Sequence, residues 1–233
     1  MSNKIVATFL LGCLLMSGNI VHAQVTDSLH LTQVKKEFQV RQLYIPLALI
    51  SSGILLNGNG EESLKMEIKE ERNEHLLSFK TRLDNYLQFS PIAIAYALDA
   101  AGIRSKTDLL NRSVILLKGE AFMLAATYAG KTLSHQLRPD GSSFSSFPSG
   151  HTAQAFAAAT FLSEEYKHRF KWMPYAAYTL ASAVGGMRIA NNKHYISDVL
   201  AGAGLGFLSM KLSYWTHQYK WGHHQSKPTT ILF

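Results

Sequence analysis

Phe147-Pro148-Ser149-Gly150-His151-Thr152-Ala153-Gln154-Ala155-Phe156-Ala157-Ala158-Ala159-Thr160-Phe161-Leu162-Ser163 is the stretch from which the fold is read. Proline, serine and glycine punctuate its start, and alanine with other apolar residues follows from Thr152, the pattern of a turn feeding a helix. Strand-type alternation is scarce elsewhere, whereas Ala, Leu and Met recur in helical stretches.

Outward from this segment, further apolar runs fall near 42–57, 89–103, 113–130, 173–187 and 195–214, separated by short polar or Pro/Gly-marked connections. With 151–163 they predict an all-α fold, a helical bundle of about six core helices. Pro46 is expected to break the first run. Between the first two lies 61–88, rich in Glu, Lys and Arg. There Leu76, Phe79, Leu83 and Leu87 are spaced three or four apart and predict one face of a helix packed on the domain, its other side in water.

Lys4, the apolar run from Ile5 to Met16 and small Ala23 before Gln24 have the layout of a secretory signal, residues 1–23. Leu10-Leu11-Gly12 before Cys13 offers a lipoprotein cleavage box as the alternative, disfavoured because the apolar run continues past Cys13. The remaining 24–233 has the length of a single domain. Cys13 is the only cysteine of the 233 residues, which excludes a disulfide framework or a cysteine metal site in the rest of the chain. Net charge is +7, yet Lys and Arg are scattered rather than gathered into a stripe, which argues against nucleic acid and for phosphate or anionic lipid as the partner.

The chain is 47% hydrophobic and 17% charged with a mean hydropathy of −0.01, between a soluble and a membrane-embedded composition. Arg104, Lys106 and Arg112 share one connection, Lys167, Arg169 and Lys171 another, and Lys211, Lys220 and Lys227 fall near the end. Alternating helices put all three groups on one face, and the positive-inside rule makes that face cytoplasmic. Segments 131–150 and 188–194 are then extracytoplasmic, provided 42–57 does not cross. A soluble bundle would show the same alternation.

Three clusters carry chemistry. Lys131 and Arg138, seven residues apart, sit at a helix end that Pro139 is expected to stop, where both cations can face one anion. Pro148-Ser149-Gly150-His151 places a hydroxyl, a residue permitting close backbone approach and helix N-terminal amides together. Arg188 precedes His194 and Asp198, which share a face if helical, so that the carboxylate can hold one imidazole nitrogen and leave the other to attack phosphorus.

In order and internal spacing, Lys131-x6-Arg138-Pro139, Pro148-Ser149-Gly150-His151 and Arg188-x5-His194-x3-Asp198 resemble the three signatures of the type 2 phosphatidic acid phosphatase and vanadium haloperoxidase superfamily. The match spans 131–198. Met187 stands where that family often has serine, at the cost of one possible hydroxyl contact. The resemblance implies a helical phosphatase acting on phosphorylated lipids such as lipid A, a polyprenyl diphosphate or phosphatidic acid. In it Lys131, Arg138, Arg188, Ser149 and the Gly150 amide hold the phosphate, His194 attacks, Asp198 orients it, and His151 protonates the leaving group. No metal or other cofactor is implied, because cations supply the positive charge. A soluble periplasmic acid phosphatase and, more remotely, a vanadate-dependent haloperoxidase are the alternatives. His135 and Asp140 are expected to be solvated loop residues, and His217, His223 and His224 a solvated tail.

Overall fold

The computed structural model of the protein describes residues 40–58, 60 and 62–218, and among these every regular element is helical. The secretory segment, Cys13, Lys220, His223, His224 and Lys227 lie outside the described residues. A 3-10 turn (Val40–Leu43) leads into α1 (Tyr44–Leu55), α2 (Leu64–His75), α3 (Asp84–Leu87), α4 (Ser90–Ala100), α5 (Leu109–Ser134), α6 (Gly150–Tyr166), α7 (Met173–Ala190) and α8 (Ile196–Trp215). Each of the six apolar runs becomes one helix, α1 and α4 to α8.

The alanine-rich segment forms the centre. From Thr152 to Tyr166 every residue of α6 is buried except half-buried Phe156, as expected of a helix with no polar face. Alanine leaves room for α5, α7 and α8 to approach it, and α8 comes closest where it has glycine. A Cβ on Gly202 would lie 2.5 Å from the Ser149 carbonyl oxygen, and one on Gly204 would lie 2.6 Å from the carbonyl oxygen of Pro46 in α1. Two backbones thus rest directly on opposite sides of α8.

The two ends of the bundle differ as the charge pattern anticipates. At one end the Lys106 N–H donates to Glu165 O (3.0 Å) and Arg169 Nε to Arg104 O (2.9 Å), joining the two basic connections. At the other the Ser149 N–H donates to Asp198 O (3.0 Å), joining the second and third signatures.

Several details differ from expectation. Pro46 sits in the first turn of α1, where no helical acceptor is needed for its missing N–H, so it does not break the run. Leu76, Phe79, Leu83 and Leu87 do not share a helix. α2 stops at His75, and the backbone of Thr81 bonds instead to the Asn191 side chain, N–H to Oδ1 at 2.8 Å and carbonyl from Nδ2 at 3.0 Å. Arg112 and Lys211 are not surface charges. The first is buried against Asp99 at 2.8 Å and over the Tyr96 ring, and the second is buried in an ion pair with Glu164. Nor is His217 a solvated tail residue, because it is buried with Nε2 2.7 Å from Asn111 Oδ1. No helix among the described residues is long and apolar enough to cross a membrane.

Candidate active site

α5 delivers Lys131 in its last turn and then ends at His135, whose left-handed backbone (φ 45°) stops the helix four residues before Pro139. The following loop is wound back on itself. The Ser146 N–H donates to Gln136 O (2.9 Å), the Arg138 N–H to Ser143 O (3.0 Å), and Lys131 Nζ to the carbonyls of Ser145 (2.5 Å) and Pro148 (2.8 Å). These bonds bring Arg138 beside the lysine. Burial, and next the charge of Arg138, lower the Lys131 pKa to about 8; Arg188 adds to this and Asp198 opposes it. Burial and Arg188 likewise lower that of Arg138. Each of the three cations thus feels another, although Arg188 is fifty or more positions further along the chain.

Asp198 is a fully buried anion of the site. Its carboxylate accepts from the Tyr195 N–H (2.9 Å), closing a reciprocal cap on α8, and from Ser146 Oγ (2.5 Å). His194 Nδ1 lies 3.4 Å from the same oxygen. His194 precedes α8, so it is this cap, and not a shared helical face, that brings the pair together. With Nδ1 toward the carboxylate, Nε2 carries the lone pair. His194 is 2% exposed, and burial, opposed by Asp198, lowers its pKa to about 4. The imidazole is therefore neutral at neutral pH.

His151, at the start of α6, is held in the same way. Burial and then Arg188 lower its pKa to about 4, with Arg138 and Lys131 adding to the effect and Asp84 opposing it. Both imidazoles thus sit in the field of the same two cations, Lys131 and Arg188. Gly150 adjoins this group. A Cβ there would meet only Thr127 Cγ2 at 3.7 Å and Lys131 Cε at 4.0 Å, so protein packing does not demand glycine. Ser149, the residue before α6, has no exposed surface and its Oγ accepts from Thr152 Oγ1 (2.9 Å), which leaves its own proton available.

Four groups that the sequence did not single out complete the picture. Asp84 on α3 is buried with Oδ2 2.6 Å from Arg188 Nη1, and its neighbour Asn85 places Oδ1 2.8 Å from His151 Nε2. Lys193 pairs with Asp140 at 2.5 Å, so Asp140 is not simply a solvated loop residue. Lys65 of α2 is buried, bonded to Asn57 O at 3.0 Å and over the Tyr195 ring at 5.2 Å. His135 is exposed and stacks with Phe144. Asp84 and Asn85 lie 104 and 66 positions from their partners, in a charge-rich stretch where no local pattern marks them.

A cavity of about 1030 Å³ opens over Arg138, His151 and Arg188, and its outer wall is built from 72–85 and 188–193. His194 lies behind it, beside a narrow crevice shared with Lys65, Arg72 and Pro139. Among the described residues no acceptor reaches the buried Nε of Arg138 or of Arg188. Chemically, the arrangement offers concentrated positive charge, two unsatisfied donors and a neutral imidazole with a fixed tautomer, which suits a tetrahedral anion.

The PAP2 superfamily profile matches residues 115–222, which contain all of these signature residues. Over those residues the chain is similar to the PAP2 superfamily. The lipid A 1-phosphatase of Porphyromonas gingivalis is 40% identical over 149 residues, 64% of this chain and 34% of that protein, so this chain spans about a third of that relative's length. Among solved structures, LpxE of Aquifex aeolicus is 21% identical with a TM-score of 0.47, covering 62% of this chain and 93% of that one. A transmembrane PAP2-type phosphatidylglycerolphosphate phosphatase from Bacillus subtilis is 23% identical with a TM-score of 0.46, covering 73% and 94%.

Proposed function

We propose that the chain is a phosphatase of membrane-lipid phosphate esters that works through a phosphohistidine on His194. The observation that carries this reading is the convergence of Lys131 and Arg188 on the buried neutral imidazole of His194, with Arg138 beside both cations and the Nε groups of both arginines lacking an acceptor among the described residues.

The ester phosphate binds among Lys131, Arg138 and Arg188, with the Ser149 hydroxyl and Gly150 amide as further donors. His194 Nε2 attacks phosphorus; the N–P bond forms as the P–O bond to the lipid breaks, and the bonding pair leaves on that oxygen. His151 supplies the proton that neutralises it. In the free protein His151 is neutral because burial and the nearby cations lower its pKa to about 4. A bound phosphate dianion offsets those cations and raises its proton affinity, so substrate itself prepares the acid. Water then attacks phosphorus, His151 takes its proton, and the N–P bond breaks. Asp198 keeps the His194 tautomer and stabilises its positive charge throughout. Positive charge on the transferring group comes from these side chains, so the scheme uses no metal.

Lipid substrates are supported by the outer surface. On α5 the exposed residues between Leu117 and Leu133 are all Leu, Ala, Phe or Tyr apart from Thr132, and α1 exposes Ile45, Leu47, Ile54 and Leu55. Apolar area turned outward on this scale fits a lipid environment. The P. gingivalis relative, a lipid A 1-phosphatase, makes lipid A the first substrate to try. An extracytoplasmic site is supported by its position at the end opposite the basic connections, the end that the positive-inside rule turns away from the cytoplasm.

Purified protein incubated with lipid A, phosphatidic acid and water-soluble phosphate esters tests the reading. Release of phosphate from a lipid, with acid-labile label trapped on the wild type and absent from His194→Ala, is expected. Undiminished hydrolysis by His194→Ala refutes the mechanism, and equal or faster turnover of the soluble esters refutes the lipid assignment in favour of a soluble-ester phosphatase.

A further inference from the structure

The cavity over the site holds more positive charge than one phosphate needs. Six basic side chains line it against two carboxylates. Asp84 is taken by Arg188 and Asp140 by Lys193, and Arg138 belongs to the phosphate clamp. Arg72, Lys80 and Arg82 remain, and among the described residues none has a carboxylate within ion-pair distance. They are set in a fixed wall. Arg72 Nε donates to Ala190 O at 2.9 Å, and the two bonds between Thr81 and Asn191 pin the backbone between Lys80 and Arg82. That backbone is not helical. Where it is extended, residues two apart point to the same side, and both Lys80 and Arg82 do line the cavity.

We propose that Arg72, Lys80 and Arg82 form a second phosphate subsite, which binds another phosphate group on the same substrate molecule while the first is cleaved at His194. The inference rests on the phosphatase reading and narrows its substrate class to lipids with at least two phosphates on one headgroup. A monoester phosphate carries at most two negative charges, which Lys131 and Arg138 match even with Arg188 paired to Asp84. Three further cations, on the facing wall and lining the same cavity, have no carboxylate within ion-pair distance among the described residues. Phosphates of neighbouring membrane lipids are the other source of the same chemistry, and the test separates the two.

The probes are lipid A with a phosphate at each end of its disaccharide and the same lipid with the 1-phosphate alone, both in micelles of uncharged detergent. Binding is measured with the inactive His194→Ala chain and turnover with the wild type. The two-phosphate lipid is expected to bind on the order of tenfold more tightly. K80Q/R82Q in the same background is expected to reduce that ratio to about one, with a melting temperature close to the parent's because both side chains are exposed. Equal affinities in the parent, or an undiminished ratio in K80Q/R82Q, overturn the subsite. So does a one-phosphate lipid that reaches the tighter affinity once phosphatidylglycerol is doped into the micelles, because the wall then reads the surface and not the substrate. Absent turnover by the wild type with the binding preference intact rejects the phosphatase reading and retains the subsite.

Discussion

Burial sets the chemistry of single residues in this site. Lys131 keeps its charge only below a pKa lowered to about 8, and His194 and His151 are neutral above about 4. In the proposed mechanism, raising the pH through 8 removes a cation that binds phosphate, and lowering it through 4 protonates the attacking nitrogen. A kcat/KM profile is therefore expected to be bell-shaped with limbs near these values, and Lys131→Arg should move the basic limb upward. Binding of a phosphate analogue is expected to raise the His151 pKa, which a histidine NMR titration with and without inorganic phosphate will register. Asp198→Asn should lower kcat by about two to four orders of magnitude, because the amide can present a donor and favour the wrong His194 tautomer. Asp84→Asn strands a buried Arg188 charge, at a cost of about 3 kcal/mol in thermal stability. Inorganic phosphate should then raise its melting temperature more than that of the wild type.

At the scale of elements, the site is assembled by where helices stop. α5 ends in a left-handed residue, α6 begins at the signature glycine, and the cap of α8 ties Asp198 to the loop that carries His194. Gly202 is where α8 touches the turn before α6, so Gly202→Ala should push that turn and the Ser149 hydroxyl outward. About 1–3 kcal/mol of stability and most of the activity are expected to be lost, as measured by chemical unfolding and phosphate release. Much of this was legible in the residues, because apolar runs, helix starts and the three signatures are local patterns. Contacts across long separations were not legible. Nothing near Asp84 distinguishes it from the other acids of a charged stretch, and nothing near Arg112 or Lys211 reveals a carboxylate partner. The apolar spacing from Leu76 to Leu87 suggested one helix because the competing acceptor and donor, both on Asn191, lie far along the chain.

For the whole molecule, the outward apolar faces and the polar site at one end predict a protein that sits against lipid with its cavity open to the aqueous side. Leu117→Lys with Leu124→Lys, at residues 70% and 61% exposed, should leave the melting temperature in detergent nearly unchanged. The same pair should shift the chain out of the carbonate-resistant membrane fraction; retention there would refute the placement. The pair of hydrogen bonds between Thr81 and Asn191 has a further consequence for anyone exchanging parts between relatives. A transplanted 76–83 segment docks only onto a recipient that offers a carboxamide at the position of Asn191, so selectivity in such chimeras travels as two separated pieces or does not travel at all.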